Sequence, residues 1–326
     1  MSALLSVRDL RKAFQVSSNR PGAAKQSLQA VDGVSFELMP GETLGLVGES
    51  GCGKSTAGKL LLRLIEPDSG TIDFDGHSVT NASKNELTLL RRKMQIIFQD
   101  PFSSLNPRMR VGEIIGEALV IHKLARGKEV RQQVLTLMEK VGLSAEHYDR
   151  YPHEFSGGQR QRIGIARTLA VQPRLIVADE PVSALDLSIQ AQIVNLMKDL
   201  QQEFGLTYLF ISHDLGIIEH VCDRVAVMYL GRIVELTEAK DLYRKPRHPY
   251  SEALLNAVPI PDPQRKRQQQ LLGGEIPSPI DPPTGCHFHP RCPYAQDLCR
   301  KEYPAYQEQT PGHFAACHFS DRIGTI

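Results

Sequence analysis

Residues 48–55 read Gly-Glu-Ser-Gly-Cys-Gly-Lys-Ser and match the G-x-x-x-x-G-K-[ST] pattern of a phosphate-binding loop. Its three glycines let the backbone wrap closely around an anion, so that its N–H groups converge on phosphate oxygens. The segment 42–47 predicts a strand before the loop, and the stretch from Lys54 to Pro67 predicts a helix after it. The positive end of that helix dipole would face the phosphates. The pattern therefore predicts a nucleotide-binding site.

Within this loop, Lys54 is predicted to reach the β- and γ-phosphates and to act in catalysis. Ser55 is predicted to offer its hydroxyl to Mg²⁺. The residues predicted to surround the phosphates are Gly48, Glu49, Ser50, Gly51, Cys52, Gly53, Lys54, Ser55 and Thr56.

A second pattern is the apolar run 175–178 that ends in Asp179 and Glu180. It predicts a buried parallel strand whose carboxylates emerge at its C-terminal edge, where ligands bind in open α/β sheets. Asp179 is predicted to hold Mg²⁺ through water, and Glu180 to accept a proton from the attacking water. Taken alone, the pattern would favour a surface Asp-Glu pair that merely ends a strand.

Three single residues fit the same chemistry. Gln99 ends a predicted strand over 94–98 and would contact Mg²⁺ and the water, and His213 ends one over 206–212 and would bind the γ-phosphate. Phe14, after a short predicted strand over 4–10, would stack on adenine. Each has an ordinary structural explanation on its own, and only their order along the chain favours a functional role.

That order resembles the ATP-binding cassette (ABC) ATPases over roughly residues 4–240. Phe14 corresponds to the A-loop, residues 48–56 to Walker A and Gln99 to the Q-loop. Ser156-Gly157-Gly158-Gln159 corresponds to the signature and Asp179-Glu180 to Walker B. Ser183-Ala184-Leu185-Asp186 corresponds to the D-loop and His213 to the H-switch. The resemblance implies a dimer in which the signature residues of one subunit close over ATP bound to the other. The chain carries a single phosphate loop and would supply half of such a dimer.

A finer resemblance is carried by Arg150-Tyr151-Pro152-His153, residues 104–108 and Arg247-His248-Pro249-Tyr250. These segments are similar to the peptide/nickel importer ATPases, and most of all to the F-type subunits of dipeptide and oligopeptide importers. The resemblance implies an ATP-hydrolysing subunit that energises uptake of dipeptides or short oligopeptides, held peripherally on the cytoplasmic face of the inner membrane. Nickel and glutathione are alternative substrates, and a soluble ABC ATPase or a cassette that binds ATP without turnover is an alternative class.

The partners implied by the resemblance are a second, paralogous ATPase subunit and two transmembrane permease subunits. The permease would bind in a groove around residues 102–111. An extracytoplasmic solute-binding protein would act indirectly. Nucleic acid is not expected, because the net charge is only +1. No run of 18 apolar residues and no secretory signal are apparent in the sequence.

The fold class predicted is α/β, with a P-loop NTPase (RecA-like) core, an antiparallel β subdomain and an inserted α-helical subdomain that carries the signature. Asp75-Gly76 marks a hairpin of the antiparallel part, and the helical subdomain covers about 105–170. Residues 17–27 predict a loop, and 187–204 an amphipathic helix. The predicted domains are a nucleotide-binding domain over 1–258 and a Cys/Pro-rich extension over 259–326.

The extension opens with a proline-rich stretch, 259–283, in which regular structure is not expected. Four cysteines follow, Cys286, Cys292, Cys299 and Cys317, whereas Cys52 and Cys222 are interpreted as ordinary core thiols. The spacing lacks the C-x₂-C pairs of zinc ribbons and is compatible with a [4Fe–4S] cluster, with zinc or unliganded thiols as alternatives. Because the extension is far along the chain from the phosphate motifs, loss of a cluster is expected to loosen it before ATP binding suffers.

Overall fold

The computed structural model describes residues 2–16, 26–100, 104–258, 275 and 277–323. The strands are β1 (Leu5–Val16), β2 (Gln26–Leu38), β3 (Thr43–Val47), β4 (Ser69–Phe74), β5 (His77–Ser78), β6 (Met94–Ile97), β7 (Leu175–Asp179), β8 (Thr207–Ser212), β9 (Arg224–Tyr229), β10 (Arg232–Glu238), β11 (Gln307–Thr310) and β12 (His313–Ala315).

The α-helices are α1 (Lys54–Leu61), α2 (Lys84–Lys93), α3 (Val111–Ile121), α4 (Lys128–Lys140), α5 (Gly157–Leu169), α6 (Leu187–Phe204), α7 (Leu215–Val221), α8 (Ala239–Arg244), α9 (Pro249–Ala257) and α10 (Asp297–Lys301). Short 3₁₀ turns cover Ala145–Asp149, Pro152–Glu154, His289–Arg291 and Ser320–Arg322. In the described part of the chain, no helix is both long and apolar enough to span a membrane.

The chain divides into two compact units. The helical unit consists of Met39–Glu42 and Asn81–Ile211, with the N-terminal Ser2. The phosphate-loop unit consists of Ala3–Leu38, Thr43–Thr80 and Ser212–Ile326.

The phosphate-loop unit contains an antiparallel sheet in the order β2-β1-β4-β5 and a mixed sheet portion in the order β11-β12-β10-β9-β3. Strand β3 lies parallel to β9, whereas β9, β10, β12 and β11 are antiparallel to one another in turn. Every residue of β3 is buried, as its uninterrupted Thr-Leu-Gly-Leu-Val sequence requires. This strand delivers the chain directly into the phosphate loop.

Two predictions for the antiparallel sheet have different outcomes. The hairpin at Asp75-Gly76 is confirmed, because both residues have positive φ and join β4 to β5. The strand predicted to end at Leu10 is wrong: β1 continues to Val16, so Phe14 lies within it, opposite Leu28. Irregular register between Val7 and Leu10 disturbs the alternation of side chains that marks a strand in sequence.

The loop predicted over 17–27 is placed only in part. Residues 17–25 are outside the described residues, and Gln26 and Ser27 already belong to β2. Most of the proline-rich stretch, 259–274 and 276, is also outside them.

The helical unit contains the parallel strands β8, β7 and β6, hydrogen-bonded in that order. Helix α3 packs against α4 and α5, and α5 packs against α6. Helix α6 has the predicted bounds; Ile193, Met197 and Leu200 form its buried face, and Gly205 ends it at φ 62°. The signature-bearing helix α5 is thus part of an α-helical subdomain, as predicted.

The described part of the extension adds β12 to the free side of β10, with Glu235 opposite Ala315. Glu235 is fully buried, and its carboxylate accepts hydrogen bonds from the backbone N–H groups of Arg247 and His248, at 2.7 and 2.9 Å. The imidazole Nε2 of His313, in β12, lies 2.7 Å from the same carboxylate. A buried carboxylate needs such partners, and the extension supplies one of them.

Candidate functional site

The phosphate loop has a backbone that only glycine tolerates at two positions. Gly48 and Gly53 have φ of 152° and 107°, and a Cβ there would lie 2.2 Å from the Met228 carbonyl oxygen and 2.0 Å from that of Ala30. Gly51 also has positive φ, but space around it is open. Helix α1 begins at Lys54 as predicted, with Gly53 as its N-cap. The loop is therefore tightly packed on its inner side and ends at a helix N-terminus, the arrangement that binds phosphate.

Lys54 is buried, and its ammonium is held inside the loop. Its Nζ donates to the carbonyl oxygens of Gly48 and Glu49, at 2.7 and 3.0 Å, and lies 3.8 Å from the Sγ of Cys52. Burial raises the pKa of the Cys52 thiol, which agrees with the interpretation of Cys52 as a neutral core thiol. The positive charge of Lys54 is thus positioned by the loop's own backbone.

Glu49 joins the loop to the C-terminal extension. Its carboxylate accepts a bidentate pair of hydrogen bonds from Arg291, at 2.7 and 2.9 Å, and its backbone N–H donates to the Tyr250 hydroxyl at 2.7 Å. The hydrogen bonds that Arg291 donates to the Glu49 carboxylate raise the pKa of Arg291 above its usual value. The extension therefore contacts the phosphate loop in the fold although the two are far apart along the chain.

The predicted acidic strand end lies in the helical unit. All of β7 is buried, including Asp179, which is 4% exposed at its last position. The Nε2 of Gln99 donates to the Glu180 carboxylate at 2.7 Å, so the structure brings these two predicted residues together. The amide lies against the carboxylate predicted to act as base and restricts its orientation.

Glu180 also has an unusual backbone, with φ of 48°. Its N–H donates to the Ile211 carbonyl at 3.0 Å, and its own carbonyl accepts from the Ser183 hydroxyl at 3.1 Å. A left-handed conformation at a residue other than glycine costs about 1–2 kcal/mol and is enriched at functional sites. The side chain is thus aimed by a strained turn that connects β7 to the predicted D-loop.

The signature residues form the N-terminus of α5. Ser156 is its N-cap: the Ser156 hydroxyl accepts from the Gln159 N–H at 3.4 Å, and the Gln159 side chain accepts from the Ser156 N–H at 3.1 Å. A Cβ on Gly158 would lie 2.5 Å from the Ile189 methyl Cγ2, and one on Gly157 would lie 3.2 Å from Leu185, in the D-loop. The motif therefore forms the N-terminus of α5 and packs beside the predicted D-loop, and its role towards phosphate stays a prediction.

The remaining predicted residues belong to the phosphate-loop unit. His213 follows the end of β8 and is exposed. Phe14 is half-buried in β1, with the Lys12 ammonium 5.7 Å from its ring centroid. Ser55 and Thr56 lie in the first turn of α1, and Ser50 and Gly51 form the exposed tip of the loop.

The four cysteines of the extension converge although they are up to 31 positions apart, from 286 to 317. Cys286, Cys292, Cys299 and Cys317 all line one small, enclosed and apolar cavity, together with His248, His289 and His318. The N–H of Cys286 donates to the Cys299 carbonyl at 2.8 Å, and that of Phe319 to the Cys317 sulfur at 3.4 Å. All six cysteines of the chain are free of disulfides.

The four thiols are the donors that a metal ion or cluster could use in this part of the extension. Among the described residues, no group of three or more His, Cys, Asp or Glu side chains is arranged to hold a metal ion. The chemistry of the donor set fits a thiolate-bound group, because four thiols line one cavity, but thiolates bind zinc and iron–sulfur clusters alike. Burial raises the pKa of the Cys292 and Cys317 thiols to about 12, so without a cation they stay protonated.

Two family models match the chain in sequence. The ABC transporter model matches residues 31–183, and the model for the oligopeptide/dipeptide transporter C-terminal region matches residues 234–299. The oligopeptide transport ATP-binding protein AppF of Bacillus subtilis is 52% identical over 318 residues, which cover 97% of each chain. A Brucella ovis protein named for peptide import and ATP binding is 54% identical, over 96% of this chain and 97% of its own.

The chain belongs to the ATP-binding subunits of ABC transporters. The resemblance inferred from the motifs is confirmed, and with it the assignment of an ATP-hydrolysing enzyme of the peptide-importer group. The family implies ATP as substrate and Mg²⁺ as its companion ion.

Two solved structures of ABC ATPase domains are similar to this chain in fold. CbiO1 of Clostridium perfringens, part of an ABC transporter complex, is 27% identical, with a TM-score of 0.64 over 75% of this chain and 92% of its own. The cassette MJ0796, solved as a dimer in a post-hydrolysis state with ADP and Pi, is also 27% identical, with a TM-score of 0.65 over 72% of this chain and 98% of its own. The predicted P-loop NTPase fold is confirmed.

Arg291 and Tyr250 are two residues in contact with the phosphate loop that the sequence does not reveal. In the sequence Tyr250 stands out only as part of a family resemblance, and Arg291 belongs to none of the motifs. The available signal was a basic residue in an apolar, cysteine-rich segment, where an unpaired charge is costly and a carboxylate partner is expected.

Proposed function

We propose that this chain hydrolyses ATP to energise the import of dipeptides or short oligopeptides. The contact between Gln99 and Glu180, at the end of a strand that also carries Asp179, supports turnover rather than ATP binding alone. The C-terminal region model and the names of the relatives support a peptide substrate.

In the phosphate-loop unit, the backbone of residues 48–56 binds the phosphates, and Lys54 donates to them from its position inside the loop. Ser55 offers a hydroxyl oxygen to Mg²⁺, which suits a hard cation that prefers oxygen ligands. Phe14 presents its ring to adenine, and His213 binds the γ-phosphate. Bound Mg²⁺ would neutralise charge on the β- and γ-phosphates.

In the helical unit, Asp179 and Gln99 offer further oxygens to Mg²⁺, and Glu180 takes the proton of the attacking water at its carboxylate. Gln99 orients that carboxylate through the 2.7 Å hydrogen bond. The helix N-terminus at Ser156, Gly157, Gly158 and Gln159 binds ATP held by a second ATPase subunit. That the cassette MJ0796 is solved as a dimer supports this arrangement.

The partners proposed are a paralogous ATPase subunit, two transmembrane permease subunits and, indirectly, an extracytoplasmic solute-binding protein. The chain would then work peripherally at the cytoplasmic face of the inner membrane. We propose two functional domains, residues 1–258, which bind the nucleotide, and residues 259–326, which contain the four-cysteine site.

For the extension, we propose a [4Fe–4S] cluster bound by Cys286, Cys292, Cys299 and Cys317. Their convergence on one apolar cavity supports it, and a bound cluster would join four separate segments of the extension. Anaerobic purification is expected to give a brown protein with about four irons per chain. A colourless anaerobic preparation with stoichiometric zinc would replace the cluster by the zinc alternative.

The substrate is tested by uptake in cells that express the complete transporter. Labelled dipeptides and short oligopeptides are expected to accumulate with the wild-type chain and not with Glu180→Gln, and unlabelled peptides are expected to compete. Uptake of nickel or glutathione, with no uptake of peptides, would refute the peptide assignment while leaving the ATPase assignment intact.

A further inference from the structure

We propose that Arg291 is a positioning residue for the phosphate loop, so that the C-terminal extension forms part of the nucleotide site. Its guanidinium grips the Glu49 carboxylate with two hydrogen bonds at 2.7 and 2.9 Å. The Arg291 side chain is 4% exposed and that of Glu49 is 23% exposed, so water screens this pair poorly. Bidentate pairs of this kind fix geometry as well as charge.

Glu49 is held at three points, and each belongs to a different element. Arg291 binds its carboxylate, the Tyr250 hydroxyl of α9 binds its N–H, and Lys54 of α1 donates to its carbonyl oxygen at 3.0 Å. Whatever fixes Glu49 therefore also fixes an acceptor of the ammonium that reaches the phosphates. Arg291 acts through Glu49 and does not itself contact the nucleotide.

Charge gives Arg291 a second effect. Glu49 is an anion within a loop whose ligand is a polyanion. An unpaired carboxylate there would repel the phosphates, and the guanidinium compensates it within hydrogen-bond distance. Loss of Arg291 thus removes both the restraint and the compensating charge.

The turn that carries Arg291 lies between two cysteines of the four-cysteine site. The N–H of His289 donates to the Cys286 carbonyl at 3.0 Å, and that of Cys292 to the His289 carbonyl at 3.3 Å. Phe288, at the start of the turn, packs its ring against Tyr250 at a centroid distance of 5.5 Å. Because the turn is hydrogen-bonded to both cysteines, a change at these cysteines, such as binding or loss of a metal group, would shift Arg291. Nucleotide affinity is therefore coupled to the cysteine site, a coupling that rests on the proposed role of the loop in ATP binding.

The test measures the Kd of a fluorescent ATP analogue and the hydrogen exchange of loop amides in the full chain. Arg291→Met is expected to raise Kd about tenfold, which is ~1.4 kcal/mol, and to speed exchange at residues 48–53. Arg291→Lys keeps the charge without the bidentate grip and is expected to have an intermediate Kd. The matched control is Asp321→Asn, which breaks a different arginine–carboxylate pair, the one between Asp321 of the extension and Arg247 at 2.9 Å, and is expected to change Kd less than about twofold.

Two further variants test the route of the coupling. In a Glu49→Gln background, Arg291→Met is expected to change Kd less than in the wild type. In that background Arg291 has no carboxylate to hold in place and no negative charge to neutralise. Cys292→Ser is expected to weaken nucleotide binding in the wild type but not in the Arg291→Met background.

The outcomes are distinct. Wild-type affinity and exchange in both Arg291 variants would overturn the inference while leaving the ATPase assignment standing. An equal effect of Cys292→Ser with and without Arg291 would show that the cysteine site does not act through this residue, and would overturn the coupling. A wild-type chain that fails to bind ATP would refute the proposed function and the coupling together.

Discussion

Replacing Glu180 with Gln separates the chemistry of this residue from its structural role. The two side chains have the same shape, and both tolerate the hydrogen bond that Gln99 donates at 2.7 Å, since a glutamine oxygen is also an acceptor. The backbone at φ 48° is unchanged as well. Folding and ATP binding are therefore expected to be preserved, with a loss of no more than about 1 kcal/mol from the weaker hydrogen bond.

Turnover is expected to fall far more. An amide cannot take the proton of the attacking water, and loss of a general base usually costs about 10²–10⁴-fold in rate. This range corresponds to about 2.7–5.5 kcal/mol in the activation barrier. The barrier change thus exceeds the change in folding stability, and the two are separable in one variant.

The assay pairs ATPase turnover of the assembled transporter with the Kd of a fluorescent ATP analogue. Retention of more than about a tenth of the wild-type rate, with unchanged Kd, would remove Glu180 from the role of base.

A second pair of variants tests the strained turn: both Glu180→Ala and Glu180→Gly lack the carboxylate. The glycine variant is expected to be more stable in urea unfolding by about 1 kcal/mol, because glycine adopts positive φ freely. Equal stability would show that the turn stores no strain at this residue.

Further predictions concern the signature helix and the extension. Ser156→Arg is expected to abolish transport while an ATP analogue still photo-labels this subunit's own phosphate loop; loss of that labelling in the isolated variant would contradict a role towards the partner's nucleotide. Gly158→Ala is expected to destabilise the chain by about 1–3 kcal/mol in urea unfolding, because its Cβ would lie 2.5 Å from Ile189. The control is Gly164→Ala in the same helix, where nothing lies within 4 Å and better helix propensity is expected to add about 1 kcal/mol, so equal losses would refute the steric argument. Replacing all four extension cysteines with Ser is expected to remove bound iron and to weaken transport, and full transport by that variant would show that the site is dispensable.

The sequence predicted those parts of the site that are locally encoded. The phosphate loop, the start of α1 at Lys54 and the bounds of α6 follow from short patterns of glycine, polar caps and apolar periodicity. The fold class follows from the order of such patterns. These features depend on contacts between residues near one another in the chain.

The parts that could not be predicted depend on long-range packing. Arg291 and Glu49 are 242 positions apart, and no periodicity links them. The bulged course of β1 past Leu10, which places Phe14 inside a strand, is set by its pairing with β2 and β4. The positive φ of Glu180 arises where the chain leaves β7, and nothing in an Asp-Glu pair indicates it. Cysteine spacing alone left cluster, zinc and free thiols open, whereas the fold brings the four thiols to one cavity.

The pairing of β12 with β10 has a practical consequence for where the chain can be divided. A protein that ends after α9, at Ala257, would keep every nucleotide motif but would leave β10 as an open edge. Bare edges of this kind recruit other strands and promote aggregation. The shortened chain would also remove the His313 imidazole from the buried Glu235 carboxylate, leaving two backbone donors to satisfy it. Removal of the extension would therefore move the sheet edge from the short, mostly exposed strand β11 to the largely buried strand β10, and it is expected to lower solubility whatever the extension binds.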